Sequence, residues 1–67
     1  MNVEGFKKYL KDRNVTNKEM GELLFMDHRN FKRRLDKGNF SIDEVAEMYF
    51  YLDMSVKDFF EIFMTGF

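Results

Sequence analysis

Helix start signals recur along this 67-residue chain at intervals of 11 to 14 residues. Thr16 and Ser41 are each followed three residues later by a glutamate, which is the capping-box pattern. Ser55 with Asp58 is a looser version of this pattern, and Asp27 is a favourable N-cap whose negative charge suits a helix N-terminus. Four starts at this spacing predict short helices joined by short turns.

A fifth helix precedes these starts, because Phe6, Tyr9 and Leu10 recur at helical spacing near the N-terminus. There is no proline, and no long stretch of the sequence alternates apolar and polar residues. The sequence therefore predicts one all-α domain, a compact five-helix bundle over residues 1–67. The expected helices are at about residues 2–13, 17–25, 28–37, 42–52 and 56–64. Gly38 is expected to end the third helix in a left-handed conformation. The residues expected in the core are Phe6, Leu10, Met20, Leu23, Leu24, Met26, Phe31, Leu35, Ile42, Val45, Met48, Leu52, Val56, Phe59, Phe60 and Phe63.

Composition excludes several classes of function. The chain has no cysteine, which excludes a disulfide framework, a thiolate metal site and a cysteine nucleophile. Its one histidine cannot build a metal site alone. Its carboxylates are spaced like caps and solvated faces, so we expect neither an enzyme nor a cofactor. The N-terminus lacks the apolar core of a signal peptide, and apolar runs such as "YFYL" are too short to span a bilayer. We therefore expect a cytoplasmic protein.

The net charge of −1 conceals a strong asymmetry along the chain. Residues 28–38 contain five arginines and lysines against one aspartate, a net charge of +4. Residues 39–67 contain one lysine against six carboxylates, a net charge of −5. A local excess of cations of this kind points to a polyanionic partner.

The second and third helices have the spacing of a helix-turn-helix. The stretch "TNKEMGELLFMDHRNFKRRL" is a capped helix, a break of about three residues at 25–27, and a second capped helix. Gly21 lies inside the first of these helices, where glycine costs about 1 kcal/mol relative to alanine. We interpret it as a position that needs a small side chain because two backbones approach closely there. The alternative is that glycine is merely tolerated.

At this point the chain resembles the Cro/Xre-type, phage-repressor-like family of helix-turn-helix DNA-binding domains. The matching segments are "TNKEMGELL", "MDHRNF" and "FSIDEVAEMYFYLDMSVKDFF", and the resemblance covers about residues 4 to 63. The four-residue separation of Phe31 and Leu35 departs from the three-residue separation found in many members. It looks like a phage-associated subset with an F-x-x-x-L recognition helix. The resemblance implies a lambda-repressor-like fold, with the motif at about 16–37 and the recognition helix at about 28–37.

In this motif the second helix lies in the major groove of double-stranded DNA and its N-terminal residues meet base edges. Arginine suits guanine and asparagine suits adenine. The base-reading candidates are His28, Arg29, Asn30 and Arg33, with Lys32 reading a base or holding a phosphate. The candidates for phosphate contact are Asn17, Lys18, Lys37 and Asn39. The alternative for the whole cluster is a solvated helix face, and His28 alone could simply complete a helix terminus.

The C-terminal half contains more aromatic residues than one small core is expected to enclose. We therefore predict a homodimer through the ends of the fourth and fifth helices. The predicted interface residues are Phe50, Tyr51, Phe63, Met64 and Phe67.

The leading expectation is a sequence-specific transcriptional regulator of phage or mobile-element type, a repressor that occupies an operator. The alternative is a helix-turn-helix fold reused to bind another protein, as an inhibitor or antirepressor.

Overall fold

The four start signals each cap a helix in the structure, a computed structural model that describes residues 1–65. The side chains of Thr16, Asp27, Ser41 and Ser55 each accept a hydrogen bond from the amide three residues on, over 2.7 to 3.2 Å. Residues 1–65 form an all-α, compact fold with five helices and no strand. The helices are α1 (Val3–Asp12), α2 (Asn17–Leu23), α3 (His28–Lys37), α4 (Ile42–Tyr51) and α5 (Val56–Phe63).

Only one of the two predicted capping boxes is complete in the described residues. At Ser41 the backbone amide donates back to Oε1 of Glu44, over 2.8 Å. At the start of α2, the carboxylate of Glu19 instead accepts a hydrogen bond from the hydroxyl of Tyr51 on α4. The first box therefore exchanges its return bond for a contact between helices.

Helices α1 to α4 end in the same way, with one residue in the left-handed region. These residues are Asn14, Phe25, Gly38 and Asp53, with φ between 50° and 63°. In each case the amide of the following residue donates to the carbonyl five residues back, over 2.9 to 3.2 Å, as in the Schellman motif. The prediction for Gly38 is confirmed, whereas α2 ends at Leu23, two residues earlier than predicted.

The core forms where all five helices meet. Eight of the sixteen predicted core residues are buried, and Leu23, Met26, Val45, Leu52 and Phe59 are partly buried against them. Phe6 of α1 packs edge-on against Phe63 of α5, with ring centroids 5.1 Å apart. The sequence analysis did not place Tyr9, Met54 and Ile62 in the core, and the structure buries all three.

Three predicted core residues lie on the surface instead. Ile42 is 85% exposed, Val56 61% and Phe60 52%. Ile42 and Val56 are the first residues of α4 and α5, where the side chain tilts toward the N-terminus and away from the helix body. Helix α5 turns Ile62 and Phe63 toward the core, which leaves Phe60 at the edge.

Helices α2 and α3 form the most extensive helix pair among the described residues. A Cβ atom at Gly21 would lie 2.7 Å from the carbonyl oxygen of Met26 and 3.3 Å from the carbonyl carbon of Asp27. This close approach leaves no room for a Cβ atom and confirms the interpretation of Gly21 as a required small residue. The backbone that approaches it is the turn leading into α3. Residues 24–27 connect the two helices.

Candidate nucleic-acid interface

Helix α3 presents a cationic face because its opposite face is anchored in the core. Phe31 and Leu35 are buried. Arg29, Arg33 and Lys37 follow one another at four-residue intervals and are exposed on the other side of the helix. The three cations therefore form a row along α3 that faces solvent.

Three of the four predicted base-reading residues lie together on α3. Nη2 of Arg33 donates to the side-chain Oδ1 of Asn30 over 2.6 Å. The backbone amide of Asn30 donates to the capping carboxylate of Asp27. Arg29, Asn30 and Arg33 line one shallow depression together with Asp27. His28, the fourth candidate, is the exposed first residue of α3 and does not line this depression.

The remaining cations of residues 28–38 are paired with carboxylates. Nζ of Lys32 lies 3.0 Å from Oδ2 of Asp36, and Arg34 is turned toward Glu44 on α4. Among residues 1–65, Arg29, Arg33 and Lys37 have no carboxylate within ion-pair distance. The unpaired positive charge on α3 is therefore concentrated in the exposed row.

The predicted phosphate contacts lie at both ends of the motif. Asn17 is the first residue of α2 and lines a groove between α1 and α3, and Lys18 is exposed beside it in the sequence. Asn39 is exposed in the turn after α3, where its carbonyl oxygen accepts from Nε of Arg34 over 3.0 Å. This bond holds the backbone of the turn near Lys37 in one position.

Lysines of α1 that the sequence analysis did not assign to the interface line the same groove as Asn17. They are Lys7 and Lys11, one helical turn apart, and Lys32 and Asp36 line the groove from α3. Nζ of Lys7 lies 2.8 Å from Oδ1 of Asp36. The hydrogen bonds from Lys7 and Lys32 hold the pKa of Asp36 below its ordinary value, and the bond to Asp36 raises the pKa of Lys7. The four-residue spacing of the α1 lysines was the available sequence signal.

The described members of the predicted dimer interface differ in exposure. Phe50 is 77% exposed. The hydroxyl of Tyr51 donates a hydrogen bond to the carboxylate of Glu19 in the same chain, and this bond raises the pKa of Tyr51. Phe63 is buried in the core and so is unavailable as a surface contact, which corrects its assignment to an exposed interface. Met64 is exposed after α5. Phe67 lies outside the described residues.

Phe50 instead belongs to an exposed apolar surface that the sequence analysis missed. We call this surface the α4–α5 strip, and it consists of Ile42, Ala46, Phe50, Val56 and Phe60. Ile42 also lines a second groove that includes Met64, so the apolar surface continues to the C-terminal end of α5. A second apolar face on α4, at positions 42, 46 and 50, was the signal for it.

Among residues 1–65, no three histidine, aspartate or glutamate side chains converge to hold a metal ion. None of the helices in this part of the chain has both the length and the apolar character needed to cross a membrane. Comparison with protein families, with curated proteins and with solved structures found no match.

Proposed function

We propose that the protein is a sequence-specific DNA-binding transcriptional regulator of phage or mobile-element type. The observation that carries the proposal is the exposed row of Arg29, Arg33 and Lys37, which has no carboxylate partner among the described residues. A helix anchored by one face and cationic on the other is suited to a polyanionic groove.

The proposal includes a lambda-repressor-like helix-turn-helix fold of the Cro/Xre type. Two features support it: the close packing of α2 on α3 and the clearance at Gly21 that admits the turn between them. In this arrangement α3 is the recognition helix, and α2 crosses the DNA backbone.

Base recognition is assigned to the N-terminal half of α3. Arg29 and Arg33 each carry a guanidinium that can donate two hydrogen bonds to O6 and N7 of guanine. The bond between Arg33 and Asn30 limits the rotation of both side chains before DNA is bound. Lysine and asparagine side chains at the two ends of the motif contact phosphates, which orient the helix without reading sequence. They are Asn17, Lys18, Lys37 and Asn39. His28, at the start of the helix, is a further base-reading candidate, and Lys32 can read a base or hold a phosphate.

Regulation would follow from occupancy of an operator in the cytoplasm, without a cofactor. A homodimer would set two recognition helices about 34 Å apart, one turn of DNA. The α4–α5 strip and its continuation to Met64 support this assembly, because exposed apolar patches mark interfaces.

The experiment that tests DNA reading is selection from a random duplex library at near-physiological salt. We expect the wild type to recover a palindromic motif, and a variant with Arg29→Ala and Arg33→Ala to lose it. A matched variant with Lys8→Ala and Lys57→Ala removes two cations from α1 and α5 and should recover the same motif. If the wild type recovers no motif, or both variants behave alike, α3 does not read DNA sequence.

A second candidate function is protein binding by the same fold, as an inhibitor or antirepressor. The α4–α5 strip favours it, because residues 39–67 combine exposed aromatic side chains with a net charge of −5. A salt titration separates the two functions. DNA binding should weaken with a log-log slope of about −0.9 per phosphate neutralised, whereas binding through an apolar surface should change little.

A further inference from the structure

A groove between α1 and α3 concentrates lysine side chains around a single carboxylate. We call it the lysine groove. Its polar lining is Lys7 and Lys11 of α1, Asn17 of α2, and Lys32 and Asp36 of α3, and its apolar lining is Leu10, Val15 and Leu35. Three ammonium groups therefore share one counter-charge within it, and outside it Nζ of Lys7 also lies 3.8 Å from Oε1 of Glu4. Among residues 1–65, Lys11 has no carboxylate within ion-pair distance.

The carboxylate of Asp36 bridges two of these lysines. Oδ1 lies 2.8 Å from Nζ of Lys7 and Oδ2 lies 3.0 Å from Nζ of Lys32. The side chains of all three residues are partly open to solvent. Ion pairs exposed in this way are weak, so water or a competing anion can replace either bond.

Helix stability does not account for an aspartate at this position. Asp36 lies in the last turn of α3, where a negative charge opposes the helix dipole. Its partner within the helix, Lys32, precedes it by four residues, which is the less favourable order for such a pair. The contact that remains is the one with Lys7 on α1.

A phosphodiester resembles the carboxylate of Asp36, because each carries one negative charge shared by two terminal oxygens. We propose that the lysine groove binds a backbone phosphate of DNA and that Asp36 occupies the phosphate position in the free protein. DNA binding then transfers Lys7 and Lys32 from Asp36 to the phosphate, and Lys11 adds a third cation. This inference rests on the proposed DNA-binding function. It makes Asp36 an intramolecular competitor that weakens binding.

The first test compares two variants that each lose one negative charge, Asp36→Asn in the groove and Glu61→Gln on α5. Binding to a labelled duplex of mixed sequence is measured by fluorescence anisotropy over a range of salt. We expect Asp36→Asn to bind about fivefold more tightly, the effect of removing a unit charge about 4 Å from a phosphate in water. Glu61→Gln should bind nearly as the wild type does. Equal effects of the two variants, or weaker binding by Asp36→Asn, would overturn the competitor role.

The second test removes one cation from each of two places, with Lys11→Gln in the groove and Lys57→Gln on α5. Neutralising a phosphate-contacting lysine should make the log-log salt slope about 0.9 less steep, whatever the DNA sequence. Lys57→Gln should leave the slope unchanged. If the slopes agree while Arg29→Ala with Arg33→Ala still abolishes motif selection, the groove is not a phosphate site and the proposed function stands.

An anion other than DNA separates the groove from the proposed function. Inorganic pyrophosphate is titrated into the wild-type protein and the side-chain signals of Lys7, Lys11, Lys32 and Lys57 are followed by NMR. Larger shifts at the three groove lysines than at Lys57 support a phosphate site, even if no DNA binding is found and the proposed function fails. Equal shifts at all four lysines overturn the site itself.

Discussion

The guanidinium of Arg34 on α3 donates to both carboxylate oxygens of Glu44 on α4, with 2.8 Å between Nη1 and Oε2. The same carboxylate accepts from the amide of Ser41, and the same guanidinium donates to the carbonyl of Asn39. Both side chains are partly buried. This pair therefore joins the end of the cationic helix, the turn after it and the start of α4.

We expect Glu44→Gln to lower the free energy of unfolding by about 1 to 3 kcal/mol, since it removes charge-assisted hydrogen bonds from a partly buried guanidinium. Urea unfolding measures the loss. The control is Glu47→Gln on the same helix, which is exposed and should change the free energy by about 0.5 kcal/mol or less. Equal losses for the two variants would show that the pair contributes nothing specific.

The same pair predicts a dependence of stability on pH. The bonds from Arg34 hold the pKa of Glu44 below its ordinary value of about 4.3. A carboxyl whose pKa is lowered by folding contributes its full stability above the unfolded pKa and loses it as pH falls through the folded pKa. The stability difference between wild type and Glu44→Gln should therefore shrink below about pH 4.3. Unfolding curves at a series of pH values check this, and a constant difference down to the acid limit would contradict it.

Gly21→Ala should destabilise the protein although alanine is the better helix former. The added Cβ would lie 2.7 Å from the carbonyl oxygen of Met26, which is backbone and cannot rotate away. Overpacking of this kind costs about 1 to 3 kcal/mol, which equals or exceeds the gain in helix propensity from alanine, about 1 kcal/mol. A midpoint of urea unfolding equal to or above that of the wild type would show that the α2–α3 turn moves without cost.

Phe25→Gly should stabilise the protein. Phe25 is left-handed, with φ 57°, and its side chain is 95% exposed, so the fold gains nothing from its ring. Glycine removes a conformational cost of about 1 to 2 kcal/mol, and part of this gain is lost to its greater freedom when unfolded. Phe25→Ala retains the left-handed strain and should not stabilise. A higher thermal midpoint for the alanine variant than for the glycine variant would place the cost in the exposed ring.

The helix starts could be predicted from the sequence because each depends on residues within four positions. The observed starts of α2 to α5 at Asn17, His28, Ile42 and Val56 agree with the predicted ones. The end of α2 could not be predicted, because a phenylalanine occupies a left-handed position that glycine normally fills.

The core was less predictable than the helices because α4 has two apolar faces. One contains Met48 and is buried, and the other contains Ile42 and Phe50 and is exposed. Spacing alone does not decide between such faces, since the choice depends on which helices pack against α4. The groove that joins Lys7 to Asp36 was missed for a similar reason: its residues are far apart in the sequence and meet only through the packing of α1 on α3.

If the α4–α5 strip joins two copies of the chain, a variant with Ile42→Lys and Phe50→Lys should be monomeric and still folded. Both side chains are exposed, so their replacement removes little buried apolar surface and should change the free energy of unfolding by about 1 kcal/mol or less. Sedimentation equilibrium measures the oligomeric state, and circular dichroism measures the folded fraction. Phe25→Lys replaces a still more exposed ring outside the strip and should leave association unchanged. A wild type that is monomeric throughout the accessible concentration range would show that the strip does not join two copies of the chain.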